Sequence, residues 1–228
     1  MDDKKDFRAR LDELLSPEAR RELRDAPLPE RVELMIPEPM LAEDPGPDWV
    51  FEPLFDGLRC LALHDGSSVR LLYHGTRPLH APIPEIERAL REGMPAPFAL
   101  DGQILDVDPE FEQGMLLSGR ERATEGSDER KLEPRFVAFD LLHLAGRDLT
   151  RAPLEDRRRA LRALFSFSET LMYARESIAP ARIVFEQAER EGWRGVVAKR
   201  RRGRYVPGDE MWREWRREAA QVGEPGDD

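Results

Sequence analysis

The chain has 228 residues, with 36 Lys and Arg against 46 Asp and Glu, a formal net charge of −10 and a single cysteine, Cys60. That length can bury the core of one large domain or two small ones without a disulfide or structural metal, and one compact unit is the expectation. The acidic balance opposes non-specific attraction to nucleic acid, a lone cysteine excludes an internal disulfide, and neither a charged-then-apolar leader nor an apolar run of membrane-spanning length occurs, so a soluble cytoplasmic protein with no membrane contact is expected.

Phe7, Leu11, Leu14 and Leu15 recur at helical spacing, and Ser16-Pro17-Glu18 reads as an N-cap with proline in the first turn of a second short helix. Residues 1–36 are therefore expected to form an N-terminal helical extension. Pro27, Pro29, Pro37, Pro39, Pro45 and Pro47 disfavour continuous helix or a central strand, and predict an extended stretch in which the main domain, residues 37–218, begins. Apolar runs at 58–63 and 69–73 flank Asp65-Gly66, a dipeptide suited to a hairpin turn. A short helix over 84–91 follows. The apolar runs 98–100 and 104–107 predict a second strand pair that turns at Asp101-Gly102.

Residues 118–131, rich in charge and poor in large apolar side chains, predict a mobile loop. Residues 136–144 read as a buried strand, 154–164 and 181–191 as helices, and 195–198 as another buried strand. The strand leads into Lys199-Arg200-Arg201-Arg202-Gly203-Arg204, which reads first as a solvated loop and second as a phosphate-facing patch. Residues 219–228 predict a disordered tail. Hairpins mixed with separate helices argue for an α+β domain over a doubly wound parallel sheet.

Five segments then stand in order: Pro39-Met40-Leu41-Ala42 with Trp49-Val50-Phe51-Glu52-Pro53-Leu54-Phe55-Asp56-Gly57-Leu58-Arg59; Leu100-Asp101-Gly102-Gln103-Ile104; Phe136-Val137-Ala138-Phe139-Asp140-Leu141-Leu142; Gly192-Trp193-Arg194-Gly195-Val196-Val197-Ala198-Lys199; and the tryptophan-rich stretch from Trp212 to Arg217. Together they resemble the motifs of the nucleotidyltransferase superfamily of ATP-dependent DNA ligases and RNA capping enzymes, most closely those of the bacterial ligase D type, over Pro37 to Arg217. The resemblance implies a nucleotidyltransferase, ATP-grasp-like fold of twisted antiparallel sheets flanked by helices. Relatives continue into an oligonucleotide-binding barrel, and the residues after Arg217 are too few for one.

In that family a lysine amine attacks the α-phosphate of ATP, a step that needs an available lone pair; Leu54 stands at the matching position. The bland reading of Leu54, a core leucine in a strand, agrees that the place has become apolar. Two family carboxylates help to hold a divalent metal, which prefers hard anionic oxygens; Gln103 and Arg194 stand there, so no Mg²⁺ site is expected. Arg194 is expected to pair with an acidic neighbour in an empty pocket or, alternatively, with a nucleotide phosphate. Glu214 and Arg216 align with lysines that grip the triphosphate. Tyr73-His74-Gly75-Thr76 keeps only the position of a further motif, and His74 reads as a surface or packing histidine.

Glu52, Asp56, Arg59, Phe139 and Lys199 match positions that line the nucleotide, with Phe139 in the place of the aromatic that stacks on adenine. The competing reading makes Phe139 core packing and Asp56-Gly57 a turn. The resemblance thus implies a pseudo-ligase with no catalytic residue intact and no cofactor required, acting as an interaction module beside a DNA-repair protein partner. Three alternatives stay open: a sensor that binds ATP without reacting, a divergent active nucleotidyltransferase using Lys199, and weak local DNA binding through Lys199 to Arg204.

Overall fold

The computed structural model describes residues 3–40, 46–79, 82–107 and 133–217; the loop expected at 118–131 and the tail expected at 219–228 lie outside these. In chain order the elements are α1 (Asp3–Leu14), α2 (Pro17–Glu22), β1 (Arg24–Asp25), β2 (Glu38–Pro39), β3 (Trp49–Pro53), β4 (Leu58–His64), β5 (Val69–Tyr73), β6 (Arg77–Pro78), α3 (Pro84–Gly93), β7 (Phe98–Leu105), β8 (Arg135–Leu144), β9 (Arg147–Asp148), α4 (Leu154–Leu164), β10 (Leu171–Tyr173), α5 (Ala181–Glu191), β11 (Gly195–Arg200) and β12 (Trp212–Arg216). The expected hairpin is β4–β5, and Gly66 supplies the positive φ of its turn at +100°.

Among the described residues the strands form two sheets. The larger runs β1-β9-β8-β7-β4-β5-β6, with β10 added parallel to β8; the smaller runs β2-β12-β11-β3. The sheets are mainly antiparallel and flanked by helices, so the α+β expectation holds.

Side-chain alternation along each strand sorts residues into three apolar layers. On one face of the larger sheet, Leu58, Cys60, Phe98, Leu100, Phe136 and Ala138 meet Leu11, Ile86, Leu90 and Leu161 from the helices. Its other face sends Leu61, Leu63, Val137 and Phe139 toward Met35, Tyr205 and Trp212. The outer face of the smaller sheet closes over Val184 and Ala188 of α5 through Phe51, Val196 and Ala198. The alternate residues of β3, β11 and β12 therefore face the larger sheet, and the functional residues lie between the two sheets.

The N-terminal helices join the first of these layers. Ser16 Oγ accepts the Ala19 N–H at 3.1 Å and donates to Asp156 Oδ2 at 2.8 Å, while the Ser16 N–H donates to Asp156 Oδ1 at 2.8 Å. One aspartate of α4 thus fixes the cap of α2.

The turn expected at Asp101-Gly102 is overturned: β7 runs through it as one strand, with register shifts against β8 between Ala99 and Leu100 and between Asp101 and Gly102. The glycine is there for close packing, since a Cβ would lie 2.5 Å from the Phe136 ring. Asp101 is fully buried and engaged by side chains from distant elements, which takes it away from turn formation.

Two histidines sit inside the larger sheet. His64 Nδ1 lies 3.3 Å from the Ala96 carbonyl and His143 Nε2 lies 3.0 Å from that of Ala26, while the second nitrogen of each ring is buried without a partner. Burial pushes both imidazoles below the ordinary value of 6.5, against the smaller opposing pull of those carbonyls. Protons bind the unfolded chain first as pH falls, so stability is complete above about pH 6.5 and lost below it. The melting temperature is expected to be lower at about pH 5.5 than at about pH 7.5, and His64→Phe is expected to shrink that difference. An unchanged difference in the variant would remove His64 from the account.

Candidate functional site

A cavity of about 420 Å³ opens between the two sheets. Its floor and walls come from alternate positions of the strands: Glu52 from β3, Arg59 from β4, Gln103 from β7, Phe139 from β8, Val197 and Lys199 from β11, and Trp212, Glu214 and Arg216 from β12. The segment from Leu54 to Gly57 and Arg194 complete the mouth, with exposed His74 on the rim. Every residue singled out from the motifs, Leu54, Asp56 and Arg194 included, lines this one cavity.

Glu52 lies deep in the cavity and is only 2% exposed. One carboxylate oxygen lies 2.7 Å from Lys199 Nζ, and the other is bonded by Arg158 Nη1. Arg158 itself is saturated: it donates to the carbonyls of Phe139 at 2.7 Å and of Ala174, to Glu176 Oε2 at 2.6 Å and to the Tyr173 hydroxyl at 3.2 Å. Burial lowers the Lys199 pKa, and Arg158 adds to this; Glu52 opposes it. The ammonium also lies 4.2 and 4.1 Å from the ring centres of Phe139 and Trp212.

A second pair stands beside the first. The Arg59 guanidinium grips Asp101 in a two-pronged contact, Nε to Oδ1 at 2.8 Å and Nη2 to Oδ2 at 2.7 Å, and the Tyr205 hydroxyl donates to the same Oδ2 at 2.6 Å. Burial first, then the Asp101 charge, pushes the Tyr205 phenol well above its ordinary value. Arg59 lies 4.6 Å from the Phe139 ring centre, and Phe139 meets Trp212 edge-on at 6.0 Å. Phe139 is thus core packing that also forms a wall of the cavity.

Leu54 lies just beyond β3, half-buried at the mouth, so the reading of it as a strand-core leucine is corrected. Its N–H donates to the Gly195 carbonyl at 2.9 Å, which pins the backbone and leaves a side chain with no lone pair. Gln103 donates from Nε2 to the carbonyls of Gly57 at 2.6 Å and Phe55 at 3.2 Å. A carboxylate could not make those donations. Gly57 is required where it stands, because a Cβ there would fall 2.2 Å from the Ile104 carbonyl oxygen. Arg194 pairs with Asp56 at 2.8 Å, the outcome expected for an acidic neighbour, and Arg216 pairs with Glu214 at 2.8 Å.

These contacts leave a donor set unsuited to a divalent metal. Gln103 is an amide turned toward carbonyls and Arg194 is a cation, while Glu52, Asp56 and Glu214 each already hold a basic side chain. Among the described residues no group of three His, Cys, Asp or Glu side chains is placed to hold a metal ion.

The basic run divides. Lys199 is 2% exposed and belongs to the cavity, which corrects its place in a solvated patch. Arg201 and Arg202 pair with Glu155 at 2.9 and 3.8 Å, and Arg204 with Glu22 at 3.3 Å. Sequence reasoning missed Arg158, Glu176 and Tyr205. Arg157 and Arg158 did carry a signal, since they fall three and four residues after Leu154 on the apolar stripe that continues at Leu161 and Leu164. A charged residue on such a stripe needs a buried partner, and Arg157 finds Asp140 at 2.7 Å through both Nε and Nη2.

Residues 29–216 match the family model described as the ATP dependent DNA ligase domain. The chain is 36% identical over 171 residues to the multifunctional non-homologous end joining DNA repair protein LigD of Mycobacterium tuberculosis, covering 70% of this chain and 20% of that protein. It is 32% identical over 176 residues to DNA ligase C of the same organism, covering 71% of this chain and 49% of the relative. The chain thus spans half or less of these relatives. Among solved structures, the ligase domain of M. tuberculosis LigD superposes with a TM-score of 0.63 at 29% identity, over 82% of this chain and 59% of that one. A mycobacterial DNA ligase D complexed with ATP and MES superposes with a TM-score of 0.57 at 30% identity, over 78% and 59%.

The Gln103 contacts predict the effect of restoring a carboxylate. Gln103→Glu is expected to lose about 1–3 kcal/mol at about pH 8, because an anion would face two carbonyl oxygens. Those oxygens raise the new carboxyl's pKa in the folded state, so the loss is present above that pKa and disappears as protonation restores one donor. Urea unfolding at about pH 8 and about pH 5 checks this; a loss of equal size at both would show that the amide's donations are not its cause.

Proposed function

Because the chain belongs to the ATP-dependent DNA ligase domain family, we propose that it is a non-catalytic member, an adenylation-type domain that forms no enzyme–AMP bond and serves as an interaction module in DNA repair. The observation that carries the reading is Leu54 at the mouth of the cavity, where the family's reaction requires a lysine amine. The nearest amine in the cavity, Lys199 Nζ, is held by Glu52 at 2.7 Å and flanked by two aromatic rings. Gln103 and Arg194 add to the case, since phosphoryl transfer needs its developing charge neutralised and neither offers a metal an anionic oxygen. The repair setting follows from the relatives, whose names include a non-homologous end joining DNA repair protein.

A second reading is favoured by the cavity itself. Arg59, Phe139 and Lys199 still converge on a space of about 420 Å³, within the size range of small-molecule sites, and one similar structure is complexed with ATP. In this reading the chain binds a nucleotide without reacting with it.

Incubation with α-labelled ATP and Mg²⁺, followed by intact mass and label retention, is expected to give no adduct on the natural protein. Leu54→Lys alone is also expected to give none, because Gln103 and Arg194 remain. An AMP adduct on the natural protein would overturn the non-catalytic reading.

A further inference from the structure

The four cations that face the cavity are each matched by a carboxylate, but the four pairs differ in depth. Lys199–Glu52 and Arg59–Asp101 lie inside, with the carboxylates 2% and 0% exposed. Breaking either strands a buried charge, so neither cation is available to an incoming anion. Arg194–Asp56 and Arg216–Glu214 lie at the mouth, where both guanidiniums are 65% exposed. Asp56 is 63% and Glu214 20% exposed, so the Arg194 pair contributes little to stability and opens readily into water, while the Arg216 pair frees an exposed guanidinium from a half-buried carboxylate that the cavity mouth still reaches.

We infer that the cavity selects a nucleoside monophosphate and binds it without a divalent cation, with Arg194 and Arg216 as the phosphate contacts. This rests on the second reading above, that the cavity still takes a nucleotide. A phosphate monoester carries a charge of about −1.5 to −2, which two guanidiniums match and can hold in two-pronged hydrogen bonds. A triphosphate carries about twice that charge, and the excess would meet Asp56 and Glu214 at the same mouth. A metal ion would relieve the excess in a site built for one. Here Arg194 already supplies a fixed positive charge at a family metal-ligand position, and Gln103 keeps its amide on the Phe55 and Gly57 carbonyls. The arginine therefore does with hydrogen bonds what a cation would do by coordination.

Calorimetric titration of the full chain with AMP and with ATP, each in EDTA and in Mg²⁺, tests this. AMP is expected to bind in EDTA, to change affinity less than about twofold on adding Mg²⁺, and to bind roughly tenfold more tightly than ATP in EDTA. Arg194→Gln and Arg216→Gln are each expected to weaken AMP binding roughly tenfold while leaving the melting temperature of the unliganded protein unchanged, since both side chains are exposed. Binding that requires Mg²⁺, a preference for ATP, no AMP binding, or unaltered binding by both variants would each overturn the inference. The mass readout with labelled ATP stands apart from this titration: an adduct beside metal-independent AMP binding would sink the non-catalytic reading alone.

Discussion

A carboxylate buried between two cations is the constraint on which the arrangement of this protein depends. Glu52 on β3 meets Lys199 on β11 and Arg158 on α4, all of them 2–3% exposed. Each ion gives up several kcal/mol of hydration, which is recovered only when geometry and remaining hydrogen bonds are complete. Arg158 meets that demand by using carbonyls of Phe139 and Ala174 as well as Glu176, so the larger sheet, the segment after β10 and α4 are all drawn to one point. Removing Glu52 leaves Lys199 without a carboxylate partner in a low dielectric, which makes the cluster a strong determinant of how the two sheets face each other.

The same cluster sets the character of the cavity. Its interior polar groups are committed to one another, Arg59 to Asp101 as fully as Lys199 to Glu52, and they form a rigid, neutral floor beneath Phe139 and Trp212. Freedom remains at the mouth, where the guanidiniums of Arg194 and Arg216 sit largely in water.

How much of this was legible in the sequence depends on where each signal resides. The β4–β5 hairpin was readable because alternation and a turn dipeptide are both local, and α4 and α5 because an apolar stripe of helical period is local too. Asp101-Gly102 carried the same turn signal as Asp65-Gly66 and yet lies mid-strand. What separates the two is the burial of Asp101 against Arg59 and Tyr205, partners 42 and 104 residues away that no local pattern announces. In the site, Leu54, Gln103 and Arg194 stood out by motif position alone, since the resemblance leads one to expect other residue types there. Their partners did not: the hold of Gln103 on two carbonyls depends on how the Phe55–Gly57 backbone turns, and Tyr205 reaches Asp101 from a loop with no periodicity of its own.

The cap of α2 ties distant parts of the chain together. Ser16 is fastened by Asp156 across 140 residues, and Arg8 reaches the carbonyls of Ala145 and Gly146 across a similar span. α2 has six residues, too few to hold as an isolated helix in water. The hydrogen bonds that fix α1 and the cap of α2 therefore form only once the stretch from Ala145 to Asp156 is in place. The apolar residues Leu11, Leu15 and Ala19 share one core with the later strands and helices. The two N-terminal helices are thus held by contacts more than a hundred residues away, and not by their own length.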